Sequence, residues 1–382
     1  MKIAIIGQKG IPASYGGVER HVEELAVRLA KQGHEVFVYC RKHYVQPVRK
    51  TYKGVKLIFT PTIPTKNLDA ITHTLFSTLD VLRRKVDIVH YHAVGPATMS
   101  IIPKLLKRKA MVVNTFHCRD QFHQKWGPLA KMYLRFGEYA TAKFGHHTIA
   151  VSKDIANHCA ETFNTVATYI PNGVTTENEP IDPETLKRNN LKKNGYFLTV
   201  ARLVRHKNIH LLIKAYKKIK TDKKLVIVGD SSHTSEYVKE LHELAAGNDN
   251  ITFTGWQDKE ELRALYKNCY LYIHPSQAEG LPIVVLEALA EGAEVLLSDV
   301  HEHKISFEKQ AHYFKNNSQS SLIRSLKKLK GLEKNLAIKR ANQKFVKELF
   351  NWDDIARDTA NTYYGLIQAK KVRKKQAALK QI

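Results

Sequence analysis

Two stretches in the second half of the chain combine cations, carboxylates and glycine at spacings that suit a phosphorylated ligand. In VARLVRHKNIHLLIKAY, Arg202 and Lys207 stand five residues apart, after an apolar run that reads as a strand and before an amphipathic helix. Two cations at the carboxyl end of a strand suit a diphosphate, Arg giving a planar fork and Lys a point charge. In HPSQAEGLPIVVLEALAEG, Glu279 and Glu287 bracket Gly280, Leu281 and the start of a helix. Glycine lets backbone approach a ligand, and a helix start offers unpaired N–H groups to phosphate. A carboxylate one or two turns further on can accept from sugar hydroxyls, as acids do with ribose diols. Taken singly, these could be solvated surface charges; together in one half they favour a ligand site.

The first half opens with GQKGIPASYGGVERHVEEL. Gly7, Gly10, Gly16 and Gly17 do not have the G-x-G-x-x-G spacing, and no G-K-[ST] ends the loop, so neither a dinucleotide fingerprint nor a P-loop is present. By itself the stretch reads as a strand-to-helix turn. The 19 histidines invite a metal reading. His90 and His92 in DIVHYHA are expected on opposite faces of a strand and so unable to chelate together. His146-His147 is adjacent and poorly disposed, and His301 and His303 lack a clear third ligand. Satisfied or exposed histidines are the expectation, with no metal site. His92 could line a cleft, since its strand ends nearby.

These residues need a scaffold, and the pattern supplies one. Short apolar runs alternate with amphipathic stretches throughout, which predicts an α/β architecture with parallel sheets. KIAIIG, EVFVYC, VKLIFT, DIVHYH, MVVNTFH and HTIAVS read as strands of a first half; YFLTVARL, KLVIVGD, NITFTGW, LYIHPS and EVLLSD as strands of a second. In VERHVEELAVRLAKQG, Val18, Val22, Leu25, Ala26 and Leu29 share one helical face, and Gly33 follows as a stop. The expected organisation is a domain over residues 1–174, a linker over 175–194 and a second domain over 195–354. A helix over about 355–382 is expected to pack back on the first domain. Ligands in such doubly wound sheets sit outside the carboxyl ends of the strands.

Composition narrows the class. The chain has 382 residues, of which 43% are hydrophobic, ample for two packed cores and too much for a disordered chain. No apolar stretch approaches the ~18–20 residues that span a bilayer, and the opening lacks a signal-peptide pattern. Four scattered cysteines without C-x-x-C fit a reduced, cytoplasmic protein. Lys and Arg number 61 against 36 Asp and Glu, and this excess of +25 points to an anionic partner. No compact aromatic-and-basic module suggests that nucleic acid is that partner.

Seven motifs in order resemble the retaining GT-B glycosyltransferases of glycosyltransferase family 4, over nearly the whole chain. They are YGGVE at Tyr15–Glu19, FH at Phe116–His117, AVS at Ala150–Ser152, IPNGV at Ile170–Val174, ARLVRHKN at Ala201–Asn208, GLPIVVLEALA at Gly280–Ala290 and SDVHEH at Ser298–His303. GIPASYGG with KWG at Lys125–Gly127 looks like a rhamnosyltransferase-like bacterial branch that builds cell-surface polysaccharides.

The resemblance implies two Rossmann-like domains facing across a cleft. It implies that Arg202 and Lys207 bind the donor diphosphate, Glu287 the ribose, and Glu279 the region of the donor sugar. Amides near Gly280 and Leu281 would help to hold sugar or phosphate. Gly16 and Gly17 would close over the diphosphate, and His117 would face donor sugar and acceptor. Departures are Cys118-Arg119-Asp120 after the histidine, Ala201 before the arginine, and Arg205-His206, which would make the donor face more basic. Asp120 and His92 are acceptor-side candidates.

Transfer from a nucleotide sugar requires a stabilised diphosphate leaving group, which fixed cations and helix-end amides can supply without a metal. No D-x-D stands at a strand end, and Asp353-Asp354 in NWDDIA looks like a helix start. The expectation is thus a retaining, metal-independent transferase needing no cofactor. Its donor would be a nucleotide-diphosphate sugar and its acceptor a glycan or a lipid-linked group, at the inner membrane face. The rival readings are a nucleotide-sugar epimerase of similar layout and a basic nucleic-acid-binding protein. Donor base and sugar are left open; base recognition is expected in loops near Gly229–Ser232 and Gly255–Gln257.

Overall fold

A computed structural model describes residues 1–65, 68–119, 128–175, 184–230, 235–331, 333 and 335–379. The chain divides into two compact units. Among the described residues, the first holds 1–119, 128–172 and 352–379, and the second holds 173–351.

The first unit is built on an eight-stranded sheet of β1 (Lys2–Ile6), β2 (Glu35–Cys40), β3 (Thr51–Tyr52), β4 (Val55–Phe59), β5 (Ile88–His92), β6 (Met111–Phe116), β7 (His147–Ala150) and β8 (Thr168–Tyr169). The order is β3-β4-β2-β1-β5-β6-β7-β8, and every pairing is parallel except that of β3 with β4. The inner strands are apolar on both sides because helices cover both faces. On one face the helix Gly17–Lys31 packs Val22, Leu25, Ala26 and Leu29 into a core shared with Trp352, Ile355, Ala356 and Tyr363 of the long helix Trp352–Leu379. On the other, the helix Asp69–Arg83 brings Val81 against Tyr39, Val89 and Tyr91.

The second unit has a six-stranded, all-parallel sheet of β9 (Tyr196–Val200), β10 (Lys224–Val228), β11 (Ile251–Gly255), β12 (Leu271–His274), β13 (Val295–Ser298) and β14 (Ala311–Phe314). Its order, β11-β10-β9-β12-β13-β14, is the 3-2-1-4-5-6 order of a dinucleotide-type fold, with the reversal between β9 and β12. Residues 184–194, expected within a linker, contain the helix Glu184–Arg188, and Arg188 reaches Glu261 at 3.5 Å within this unit. Every strand expected from the sequence is present. The short β3 and β8 and the edge strand β14 add to them, being too short or too polar (AHYF) to stand out as apolar runs.

Candidate active site

In each unit the singled-out residues gather at the carboxyl edge where the strand order reverses, where a parallel sheet leaves a crevice. In the first unit that point lies between β1 and β5. Gly7 leaves β1 with φ 123°, and a Cβ there would lie 2.2 Å from the His92 carbonyl oxygen, so only glycine lets the loop pass β5. The loop is then pinned by side chains. Lys9 N donates to Glu19 at 3.1 Å, Ala13 N to Glu23 at 2.7 Å, and the Tyr44 hydroxyl accepts from Ser14 N and Tyr15 N at 2.9 and 3.0 Å. It ends at Gly16, φ 106°, the N-cap of the helix Gly17–Lys31, where the Glu19 carboxylate lies against the Gly16 backbone. At Gly17 a Cβ would meet nothing within 4 Å, so backbone packing does not demand glycine there.

His117, just beyond β6, is buried, and its Nε2 lies 2.9 Å from Nδ1 of His92. His21, on the glycine-loop helix, sets its ring against His117 at 4.8 Å and against Trp352 at 5.3 Å, and its Nδ1 meets Asn172 Oδ1 at 2.8 Å. Asn172 belongs to the IPNGV motif, so that motif serves here to hold a helix histidine. His90 bonds Tyr363 at 2.7 Å and Thr115 at 2.6 Å. His90 and His92 do not point to opposite faces: their ring centroids lie 4.1 Å apart, tilted by 41°. Strand residues two apart share a face, and this overturns the expectation drawn from the sequence. His92 is fully buried behind His117 and does not line an open surface. Burial, reinforced by neighbouring histidines, holds His92 and His117 well below the ordinary imidazole range, so both are neutral. Asp120, like Lys125–Gly127, falls outside the described residues.

In the second unit the reversal lies between β9 and β12. Arg202 follows β9 and is exposed. Lys207 closes a short 3-10 turn, Arg205–Lys207, and its Nζ is ion-paired with Glu279, which follows β12. The same carboxylate oxygen lies 2.7 Å from Nε2 of His274 at the end of β12. Burial works to raise the Glu279 pKa, but Lys207 and His274 reverse it and hold the carboxyl well below its usual range. Burial in turn keeps His274 below the ordinary imidazole value despite its carboxylate partner. Lys207 spends one of three N–H groups on Glu279 and keeps two for a ligand. Gly280 and Leu281 are buried just before the helix Ile283–Ala290. Glu287, on that helix, accepts from the buried Tyr266 hydroxyl at 3.2 Å, which orients the carboxylate.

Arg205 does not add to the basic face: it pairs with Glu240 at 2.5 Å and lies over Tyr237 at 5.0 Å, while His206 is buried. The two loops expected to recognise the base are joined by a hydrogen bond from Gly229 N to Gly255 O at 2.8 Å, and a Cβ on Gly229 would strike the Ala201 carbonyl oxygen at 1.9 Å. Ser231 and Ser232 lie outside the described residues. Next to Gly255 stands Trp256, 58% exposed at a strand's carboxyl end. Trp256 lies within the loop expected from the sequence to meet the base, whereas His274 and Tyr266 were given no role there. A histidine closing an apolar strand was the available signal for His274; Tyr266 gave none. Among the other histidines, His146 Nδ1 accepts from Val112 N at 2.9 Å and His147 Nε2 bonds Thr168 at 2.8 Å. Asp353 accepts from Arg28 at 2.7 Å at the start of its helix.

Residues 15–178 match the model of glycosyltransferase family 4, and residues 182–345 match that of the glycosyl transferases group 1. An uncharacterised glycosyltransferase of Methanocaldococcus jannaschii is 25% identical, over 95% of this chain and 98% of its own. The protein is a glycosyltransferase. The phosphatidylinositol N-acetylglucosaminyltransferase gpi3 subunit of Schizosaccharomyces pombe is 24% identical to it, over 94% of this chain and 79% of its own. Two solved structures share the fold of this glycosyltransferase. Sucrose-phosphate synthase of Thermosynechococcus elongatus has a TM-score of 0.80 at 20% identity, covering 96% of this chain and 99% of its own. HepE of Anabaena in complex with UDP-glucose has a TM-score of 0.78 at 18% identity, covering 96% and 100%. The two Rossmann-like units are therefore the two halves of a GT-B fold.

Proposed function

We propose that this glycosyltransferase is a retaining, metal-independent enzyme. In this reading it moves a sugar from a nucleotide-diphosphate donor to a glycan or lipid-linked acceptor in cell-surface polysaccharide synthesis, in the manner of the rhamnosyltransferase-like branch. The observation that carries the reading is the buried Lys207–Glu279–His274 arrangement at the reversal point of a 3-2-1-4-5-6 sheet. Arg202 and the two remaining Lys207 N–H groups balance the charge of the departing diphosphate, a task that needs no metal. The amides of Gly280 and Leu281 and the helix start at Gly16 and Gly17 assist. Glu287, oriented by Tyr266, takes the ribose hydroxyls. His117, kept neutral by burial, serves as a hydrogen-bonding group toward the donor sugar. The departing phosphate itself takes the acceptor proton on the leaving-group face, which accounts for retention without a protein nucleophile. The crystallised complex of HepE with UDP-glucose supports a donor of this class.

The deciding experiment is calorimetric titration of UDP, GDP, ADP and dTDP with EDTA present, on the wild type and on Glu287→Ala. One diphosphate is expected to bind without metal, with at least about tenfold loss in the variant, the scale of a charge-assisted hydrogen bond. Binding of none would sink the donor site. A peripheral position at an anionic inner membrane face is proposed on the net charge of +25 and on exposed Leu105, Leu106, Met132 and Phe136 flanked by exposed Arg108, Lys131 and Arg135. No helix among the described residues is long and apolar enough to cross a membrane.

A further inference from the structure

The first unit brings four histidines together, and the proposed transfer uses one of them. His90 is accounted for structurally, with both ring nitrogens bonded, to Tyr363 and to Thr115. His21, His92 and His117 are not. Their rings form a triangle with centroid separations of 4.8, 5.2 and 5.3 Å, and one nitrogen from each lies within 4.8 Å of the other two. Nε2 of His92 is buried with no hydrogen-bond partner, an arrangement that costs free energy unless something fills it. Asn172 takes Nδ1 of His21 at 2.8 Å, which leaves Nε2 as the nitrogen open to a further ligand.

We propose that His21, His92 and His117 form a binding site for a borderline-soft transition-metal dication of the Zn2+ class, and that its occupation removes His117 from the transfer reaction. The second half of this proposal rests on the role given to His117 above; the first half does not. Imidazole suits zinc, nickel and copper, whereas magnesium, calcium and manganese favour oxygen ligands, which this trio lacks. Three histidines with a fourth position left for water or an anion is a set that zinc accepts. The Asn172 contact orients His21 in the way an outer partner orients a metal-bound imidazole. Zinc–nitrogen bonds of ~2.0–2.1 Å in a tetrahedron place ligand nitrogens ~3.4 Å apart. One nitrogen of each ring already lies within 4.8 Å of the other two, so modest ring rotations complete the set. Because the three come from the glycine-loop helix, β5 and the end of β6, a bound ion also ties that helix to the sheet.

The test is titration of the full-length, metal-stripped protein with Co2+, followed by visible absorption, and with Zn2+ by calorimetry, on the wild type and on His21→Phe. Phenylalanine keeps the packing against Trp352 and removes the ligand nitrogen. The expected result is one equivalent bound with the intense visible band of tetrahedral cobalt, and affinity at least about tenfold weaker in the variant. No tetrahedral band in the wild type, or undiminished binding in His21→Phe, overturns the site. Should His21→Phe not fold, the wild-type spectrum and stoichiometry decide. Zn2+ is further expected to slow sugar transfer reversibly, with EDTA restoring the rate; binding without inhibition overturns the second half. Cobalt binding by a protein that turns over no nucleotide sugar leaves the metal site standing and removes the transfer reading instead.

Discussion

Glu279 sits 11% exposed between a cation and a neutral imidazole, and its charge is tolerated only because Lys207 is there. Lys207→Ala therefore strands a buried carboxylate and is expected to cost about 3–5 kcal/mol in urea unfolding of the second unit. It should also lower kcat through loss of leaving-group stabilisation. Since the folded carboxyl is held below its unfolded value of 4.5, the stability it contributes is complete above that value and drains as pH falls toward the folded pKa. Unfolding curves between pH 5 and 3 should show this slope in the wild type and a flatter one in Glu279→Gln. The histidines act in the same direction at higher pH. His21 and His90, lowered by burial from 6.5 to about 4 and about 3, stay neutral in the fold while the unfolded chain takes up protons below pH 6.5. The melting temperature of the first unit should accordingly fall between pH 7 and 5, and less so in His21→Phe. At this scale the sequence disclosed which residue types were present, but not that Glu279 is shared between Lys207 and His274. That sharing joins residues 72 positions apart.

The glycine-loop helix shows what an element adds to its residues. Gly7 and Gly17 look equivalent in the sequence, yet one is demanded by backbone packing and the other is not. Gly7→Ala places a Cβ against the His92 carbonyl at a φ of 123° and is expected to destabilise the first unit by at least about 3 kcal/mol. Gly17→Ala meets open space inside a helix and should hold or slightly raise the melting temperature. If the helix start approaches the diphosphate as proposed, Gly17→Ala will nonetheless raise the donor KM. A lower melting temperature with an unchanged KM would show that Gly17 serves the fold and not the ligand. Helix and strand assignments were legible because period and punctuation are local. The strand β14 was not, because an edge strand with polar residues acquires its identity from its neighbour β13.

The first unit is completed only by the end of the chain: Trp352, Ile355, Ala356 and Tyr363 fill its core, and Tyr363 bonds His90. Deleting residues 352–382 should thus unfold the first unit, seen as loss of its melting transition and appearance of dye-binding apolar surface. Persistence of two intact transitions would refute this. The charge of +25 is likewise a property of the whole surface. Sedimentation with anionic vesicles, expected at low salt and reduced at high salt, against none with neutral vesicles, checks its proposed use.

From the sequence alone came the α/β class, the two-part organisation and the positions of the glycine loop, the cations and the paired glutamates. These follow from local rules: strands buried on both sides are continuously apolar, helices repeat every 3.6 residues, and functional loops follow strand ends. Tertiary structure alone decided which side chains share a proton or a charge. It placed His21 from a helix beside His92 at the end of one strand and His117 just beyond the next, with Asn172 bonded to His21. It withdrew Arg205 from the donor face by giving it Glu240. Partnership of this kind depends on strand order and on the distance between side chains far apart in the chain, and neither quantity has a local signature.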